Sequence, residues 1–308
     1  MHLKRLDSNP IISPSDVTPS RPDFEIISVV NAGAIKVGTK IALLLRVAER
    51  FLQQSKETLT VPHVRITNEH ADITATTFSL SDTQYNFSDP RVVCTNDTAH
   101  RIIALTSLSH VRLAWSDDGI HFRIDEKPWL SPTTPEEAWG CEDPRVTKIK
   151  ETYFINYTAV SDLGIATALA STNSFQDIQK HGIIFAPSNR DVTLFPEKIH
   201  GQYAAFHRPM PVAIGGQNIW YATSPDLLHW GSHKVVASPR PDFWDGQKIG
   251  GGAPPILTAD GWLSIYHGVD TKERYALGAL LTDIHEPWKV LRRSKTPLLE
   301  PEAPYEKE

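Results

Sequence analysis

Four consecutive residues, Glu142-Asp143-Pro144-Arg145, put two carboxylates, a rigid imide ring and a guanidinium side by side. Proline fixes its own φ and predicts extended geometry for Asp143, so this corner suits an acid held in one orientation for proton transfer. The same residues would also suit a plain Asp–Arg pair closing a turn, and the surroundings decide between the two. Arg46 ends the apolar run Ile41-Ala42-Leu43-Leu44-Leu45, where a guanidinium needs an anion or a wet pocket; Glu49 is a local option. Lys198, His207 and Arg208 lie close together among aromatics and prolines, unlike the polar company of a solvated lysine face. His267 closes an apolar strand-like run as Arg46 does, although a lone histidine there more often belongs to a core. One acid with an excess of cations (Arg46, Arg145, Lys198, Arg208, and the histidines 207 and 267) points to a small anion as ligand or co-substrate. Trp139, Tyr203, Trp244 and Tyr266 suit stacking on sugar faces, and equally suit packing plugs.

These residues need a scaffold that gathers distant positions, and the chain is repetitive enough to supply one. Asp89-Pro90-Arg91-Val92 returns about 54 residues later as Asp143-Pro144-Arg145-Val146. Ser116-Asp117-Asp118-Gly119-Ile120-His121-Phe122 returns loosely as Ser171-Thr172-Asn173-Ser174-Phe175, and again as Ser224-Pro225-Asp226-Leu227-Leu228-His229-Trp230. Each copy is a polar turn followed by an aromatic. Strand-like runs at 41–47, 102–108, 153–160, 219–224 and 262–269 recur at roughly 45–65 residue spacing, which predicts an all-β chain and a five-bladed β-propeller. Residues 1–308 then form a single catalytic domain with a short N-terminal extension of about 20 residues. The one plausible short helix is Glu49 to Lys56. Gly250-Gly251-Gly252 lacks the lysine and hydroxyl of a phosphate-gripping loop and predicts close backbone approach instead. Asp89, a copy of the acidic corner without Glu142, reads mainly as structural.

Composition narrows the remaining classes. Of 308 residues, 40% are hydrophobic and 22% charged, which is enough to bury a sizeable core. A net charge of −5 without basic blocks argues against a nucleic-acid partner. The longest apolar run is far too short to span a bilayer, so no membrane partner is expected. The N-terminus lacks the apolar segment of a signal peptide, and the two cysteines, 94 and 141, lack metal-ligand spacing. Both points predict a cytoplasmic protein. A phosphate and a sugar beside one acid suggest phosphorolysis of a glycosidic bond.

The ordered set of Asn31-Ala32-Gly33-Ala34, Leu43-Leu44-Leu45-Arg46-Val47, Trp115 to Phe122, Gly140-Cys141-Glu142-Asp143-Pro144-Arg145, Leu194-Phe195-Pro196-Glu197-Lys198, His207-Arg208-Pro209, Ser224-Pro225-Asp226-Leu227 and Tyr266-His267-Gly268 resembles glycoside hydrolase family 130. These inverting β-mannoside phosphorylases and their hydrolase relatives are five-bladed propellers. The resemblance covers nearly the whole chain and is nearest the branch acting on β-1,2-mannobiose and β-1,2-oligomannan. It implies reversible phosphorolysis of terminal β-mannosides by inorganic phosphate to α-mannose 1-phosphate, without metal or organic cofactor. It also implies Asp143 as general acid, with Arg46, Arg145, Lys198, His207, Arg208 and His267 as phosphate contacts. Asn31, Asp89, Tyr203 and Trp139 are the corresponding candidates for the sugar. Alternatives are a β-1,4-mannooligosaccharide or mannosyl-glucose phosphorylase, an inverting β-mannosidase with Glu197 or Asp245 as base, and a non-catalytic sugar-binding propeller. Relatives often form homo-oligomers, which implies a dimer or larger. Cys141 before Glu142 and an insert-like stretch from Ala71 to Asp82 depart from the pattern and bear on the acceptor side.

Overall fold

The computed structural model describes residues 3, 5–53, 55–67 and 70–307. Among them, helix is confined to three single turns, Pro14–Asp16, Pro135–Glu137 and Pro304–Glu306, and the rest of the regular structure is strand. The chain is all-β, as the repeats predict. The short helix expected from Glu49 is not formed. Glu49 lies in the strand Lys40–Phe51, paired with Leu108 on one side and Ile26 on the other. Its carboxylate is buried and receives Arg112 Nη2 at 3.1 Å, so a tertiary ion pair overrides the local helical preference.

Among the described residues the strands group into five sheets, and the chain divides into two compact units. One unit comprises residues 8–144 and 158–165. Within it, Phe24–Val37, Lys40–Phe51 and Leu108–Ser116 run antiparallel, and Gly140 joins the last of these in parallel register at Ser109. A Cβ on Gly140 would stand 2.9 Å from Ser109 N, so only glycine allows that approach. The insert-like stretch is one arm of a two-stranded hairpin, Thr58–Thr67 with His70–Ser79. The hairpin buries Val61 and Phe78 against Val93 and Ala104.

The other unit comprises residues 1–7, 145–157 and 166–308. Asn189–Leu194, Tyr203–Pro209, Ile219–Ser224 and Gly231–Ala237 make a four-stranded antiparallel meander. Lys248–Gly251, Gly261–Val269, Tyr275–Thr282 and Val290–Arg293 make a second, with Ile256–Thr258 added beside Gly261–Val269. Phe195, Phe206, Tyr221, Trp262 and Tyr266 form one apolar cluster here, and burying such rings is worth about 2–3 kcal/mol each.

The repeated polar turns fold alike. Asp118 Oδ1 accepts the N–H groups of Ile120 and His121 at 2.8 and 2.9 Å, and Asp226 Oδ1 accepts those of Leu228 and His229 at 2.9 Å each. In the third copy the Thr172 hydroxyl accepts the N–H of Phe175 at 2.9 Å. These side-chain caps fix the turn, and the following aromatics pack inward, Phe122 against Leu45 and Ala114, Phe175 on Tyr153 and Trp230 on Phe185.

Candidate active site

The acidic corner sits in the first unit. Arg46 stands on the strand Lys40–Phe51 and divides its fork: Nη1 donates to Asp143 Oδ1 at 2.9 Å and Nη2 to Glu142 Oε1 at 2.7 Å. Its Nε donates to Ser109 Oγ at 3.2 Å. Asn31 Nδ2 adds a second bond to Asp143 Oδ1 at 2.9 Å. Burial disfavours the Arg46 cation, but Glu142 and Asp143 outweigh it and raise the pKa above its ordinary value.

The backbone presents these groups in an unusual way. Asp143 has φ 48°, not the extended geometry that Pro144 predicts. Asn31 has φ 51° and lies in the bulge between Val30 and Gly33. Aspartate and asparagine tolerate this left-handed region better than other side chains, and holding it costs of order 1–3 kcal/mol, which the surrounding pairs offset. Arg46 and Asn31, read from the sequence as phosphate and sugar contacts, are therefore partners of the acid in this structure.

The second unit holds the opposite arrangement. Asp191, at φ 57° in the bulge between Arg190 and Thr193, is a buried carboxylate approached from three sides. Arg145 Nη2 reaches Oδ1 at 3.1 Å, Arg208 donates Nε and Nη2 to Oδ2 at 2.8 and 2.7 Å, and His267 Nε2 lies 3.4 Å from Oδ2. Arg145 also donates to the carbonyls of Gly251 and Gly252, each at 2.8 Å, and Arg208 Nη1 donates to Gln217 Oε1. The glycine run permits this crowding as predicted: a Cβ on Gly250 would fall 2.3 Å from Asp191 Oδ2 and 2.6 Å from the His267 ring. Burial pushes the Asp191 pKa up, but His267, Arg145, Arg208 and Arg190 outweigh it and hold the group well below the usual carboxylate range. His267 is held below its ordinary value by burial, with Asp191 working against that.

Asp191 is the residue that sequence reasoning missed. Its only signal was a carboxylate at the head of the apolar run Val192-Thr193-Leu194-Phe195. Gln217, in a loop of unremarkable composition, gave none.

The other candidates scatter. His207 neighbours Arg208 in sequence but points to the opposite face of the strand, as alternation requires. It stacks on Phe185 at 4.6 Å between Asn189 and His233. Burial first, and then His233, push its pKa down to about 3, so it is neutral and unsuited to a charged phosphate contact. Lys198 is exposed, 4.2 Å above the ring of half-buried Tyr203, contrary to the expectation that it avoids a solvated face. Asp89 binds Arg91 at 2.7 Å within its own turn, as a structural corner does. Trp139 lines a cleft with His63, Arg65 and Asp162. Asp245, one conceivable base, is fully buried and locked by Arg240, Arg293 and the Tyr266 hydroxyl, while Glu197, the other, is exposed. Among the described residues no group of three or more His, Cys, Asp or Glu is placed to hold a metal ion.

The sequence and the fold both match known proteins. A family model described as beta-1,4-mannooligosaccharide phosphorylase matches residues 101–308, about two thirds of the sequence. The chain belongs to glycoside hydrolase family 130. A beta-1,2-mannobiose phosphorylase of Listeria innocua is 44% identical over 307 residues, covering 100% of this family 130 chain and 86% of the relative. A 1,2-beta-oligomannan phosphorylase of Thermoanaerobacter is 41% identical over 204 residues, 65% of this chain and 67% of that one. The solved structure of the Listeria innocua enzyme with beta-1,2-mannobiose superposes with a TM-score of 0.93 over 98% of this chain and 85% of that one.

Proposed function

We propose that this chain is a glycoside phosphorylase that cleaves terminal β-1,2-mannosides, mannobiose or short oligomannosides, with inorganic phosphate, reversibly and with inversion, to α-mannose 1-phosphate. The observation that carries the reading is the grouping of Arg145, Arg208 and His267 on a single buried carboxylate, Asp191. Two guanidinium forks converge on this carboxylate, and guanidinium geometry matches phosphate oxygens. An inverting hydrolase instead needs a second carboxylate, about 6.5–9.5 Å from the acid, to activate water. The buried lock on Asp245 and the exposed position of Glu197 argue against either as that base.

In this reading Asp143 gives its proton to the glycosidic oxygen, by way of a mannose hydroxyl, as the C–O bond breaks. Phosphate oxygen attacks the anomeric carbon from the opposite face, so the β-linkage becomes an α-phosphate and the departing sugar keeps the proton. Donation requires that the Arg46–Asp143 contact be exchanged for one with the sugar, since Arg46 favours the ionised acid. Arg145 is two residues from Asp143 on the strand Gly140–Ile149, at most about 7 Å along the chain. Positioning and charge neutralisation supply most of the rate, with phosphate as co-substrate and no cofactor.

The two four-stranded meanders have the form of propeller blades, which supports a single five-bladed β-propeller catalytic domain over residues 1–308. A cytoplasmic location and a homo-oligomer complete the reading. The test is direct: incubation of β-1,2-mannobiose with and without phosphate, and of mannose 1-phosphate with mannose, glucose, N-acetylglucosamine or mannobiose. Phosphate-dependent mannose 1-phosphate and β-1,2-linked products are expected. Free mannose formed without phosphate overturns the proposal.

A further inference from the structure

The first unit contains a second feature, outside the acidic corner, with the chemistry of a sugar site. The hairpin Thr58–Thr67/His70–Ser79 is tied to the chain just before the acid strand by Val64 N–H donating to the Ala138 carbonyl at 2.8 Å. Between hairpin and strand lies a cleft of about 340 Å³, within the range of small-ligand pockets. Trp139 and Phe78 give it aromatic surface, while His63, Arg65, Thr76 and Asp162 give it donors and acceptors. His63 Nδ1 and Thr76 Oγ1 are 3.5 Å apart across the two strands, so these polar groups sit together on one face of the hairpin. One guanidinium and one carboxylate balance, so the cleft favours a neutral polar ligand over an anion. An indole beside hydroxyl-binding groups is what a pyranose ring needs, apolar on its C–H face and polar at its edge.

Position supplies the second argument. Trp139 is four residues from Asp143, so the two Cα atoms lie no more than about 14 Å apart whatever path the chain takes. A ring at the cleaved bond must touch Asp143, and the next ring of the same oligosaccharide falls within that reach of Trp139.

We infer that the cleft between the 58–79 hairpin and Trp139 binds the second sugar beyond the scissile bond of a β-mannoside chain, Trp139 stacking on the ring and Arg65, Thr76 and Asp162 holding its hydroxyls. The inference rests on the phosphorylase reading and deepens it: the hairpin sets preference for chain length.

The experiment compares mannobiose, mannotriose and mannotetraose. In Trp139→Ala, the ratio of kcat/KM for mannotriose to that for mannobiose falls at least about 10-fold, the loss lying in KM. Arg65→Ala on the exposed hairpin shifts the ratio the same way by about 3-fold, and keeps the test available if the tryptophan variant does not fold. Calorimetry on Asp143→Asn gives a readout without turnover: mannotriose binds more tightly than mannobiose, and adding Trp139→Ala or Arg65→Ala removes the difference. Equal effects on all chain lengths, or none, overturn the cleft assignment while mannobiose phosphorolysis stands. Absence of both mannoside binding and mannose 1-phosphate formation overturns the underlying reading as well.

Discussion

The two charged clusters are mirror images in stoichiometry. In one, a single arginine, Arg46, spans two carboxylates, Glu142 and Asp143; in the other, a single carboxylate, Asp191, gathers Arg145, Arg208 and His267. The first gathers carboxylates around a guanidinium and the second gathers guanidinium forks around a carboxylate. Both are built with the same device, a polar residue in left-handed geometry, with Asn31 and Asp191 set in strand bulges. The difference teaches that a buried ion pair need not be a finished structural object. On the proposed phosphorylase reading, the first cluster offers an acid to the sugar and the second offers guanidinium forks to phosphate.

The comparison breaks most visibly at the acid. Asp143→Asn should lower kcat by about 10³-fold, within the range for general acids, while sugar binding measured by calorimetry persists. Next come the two arginines, whose effects should separate by substrate. Arg208→Ala should raise the KM for phosphate by roughly 10²-fold. Arg46→Ala should lower kcat/KM for mannobiose and move the phosphate KM by no more than about 3-fold. Steady-state kinetics with each substrate varied in turn decides, and parallel losses for both variants would erase the distinction between the clusters.

Asp191→Asn tests whether the missed carboxylate positions the cations. A rise in phosphate KM of about 10-fold with a small change in kcat is expected, since the forks lose their anchor and not their charge. Gly250→Ala should act through the same contact, costing about 1–3 kcal/mol in a urea melt because its methyl group meets Asp191 and His267. Gly231→Ala, with open space at its Cβ, should stay within about 0.5 kcal/mol.

In pH-dependent stability the two units behave alike. His110 in one and His207 in the other are both buried and pushed down to about 3, burial being the larger cause in each. Above about pH 6.5 both are neutral whether folded or unfolded, and stability is unaffected. Below it the unfolded chain takes up protons that the folded chain refuses, so stability falls with pH, by up to about 2 kcal/mol per histidine at pH 5. Urea melts at pH 7.5 and 5.0 should show this loss, and His110→Gln should reduce it.

Much of this was legible in the residues. The Ser/Asp turns at 116–122 and 224–230 carry their own hydrogen-bond partners within three residues, so their repetition in the sequence is enough to indicate a β architecture. The glycine run announced close approach because few other side chains could be so consistently absent. His207 and Arg208 show where such reading stops. Both are buried on the same strand, yet alternation sends one to an aromatic stack and the other to Asp191, and no local pattern says which face is which. The extended geometry read for Asp143 failed for a similar reason: Pro144 sets only a preference, and the bonds from Asn31 and Arg46 override it.

By itself, then, the sequence determined the residue types, the strand-and-turn rhythm and the family. Tertiary structure decided which charge faces which. Arg46 and Asp143, and Arg145 and Asp191, are far apart along the chain, and Coulomb interaction depends on distance and burial, which only the folded sheets set.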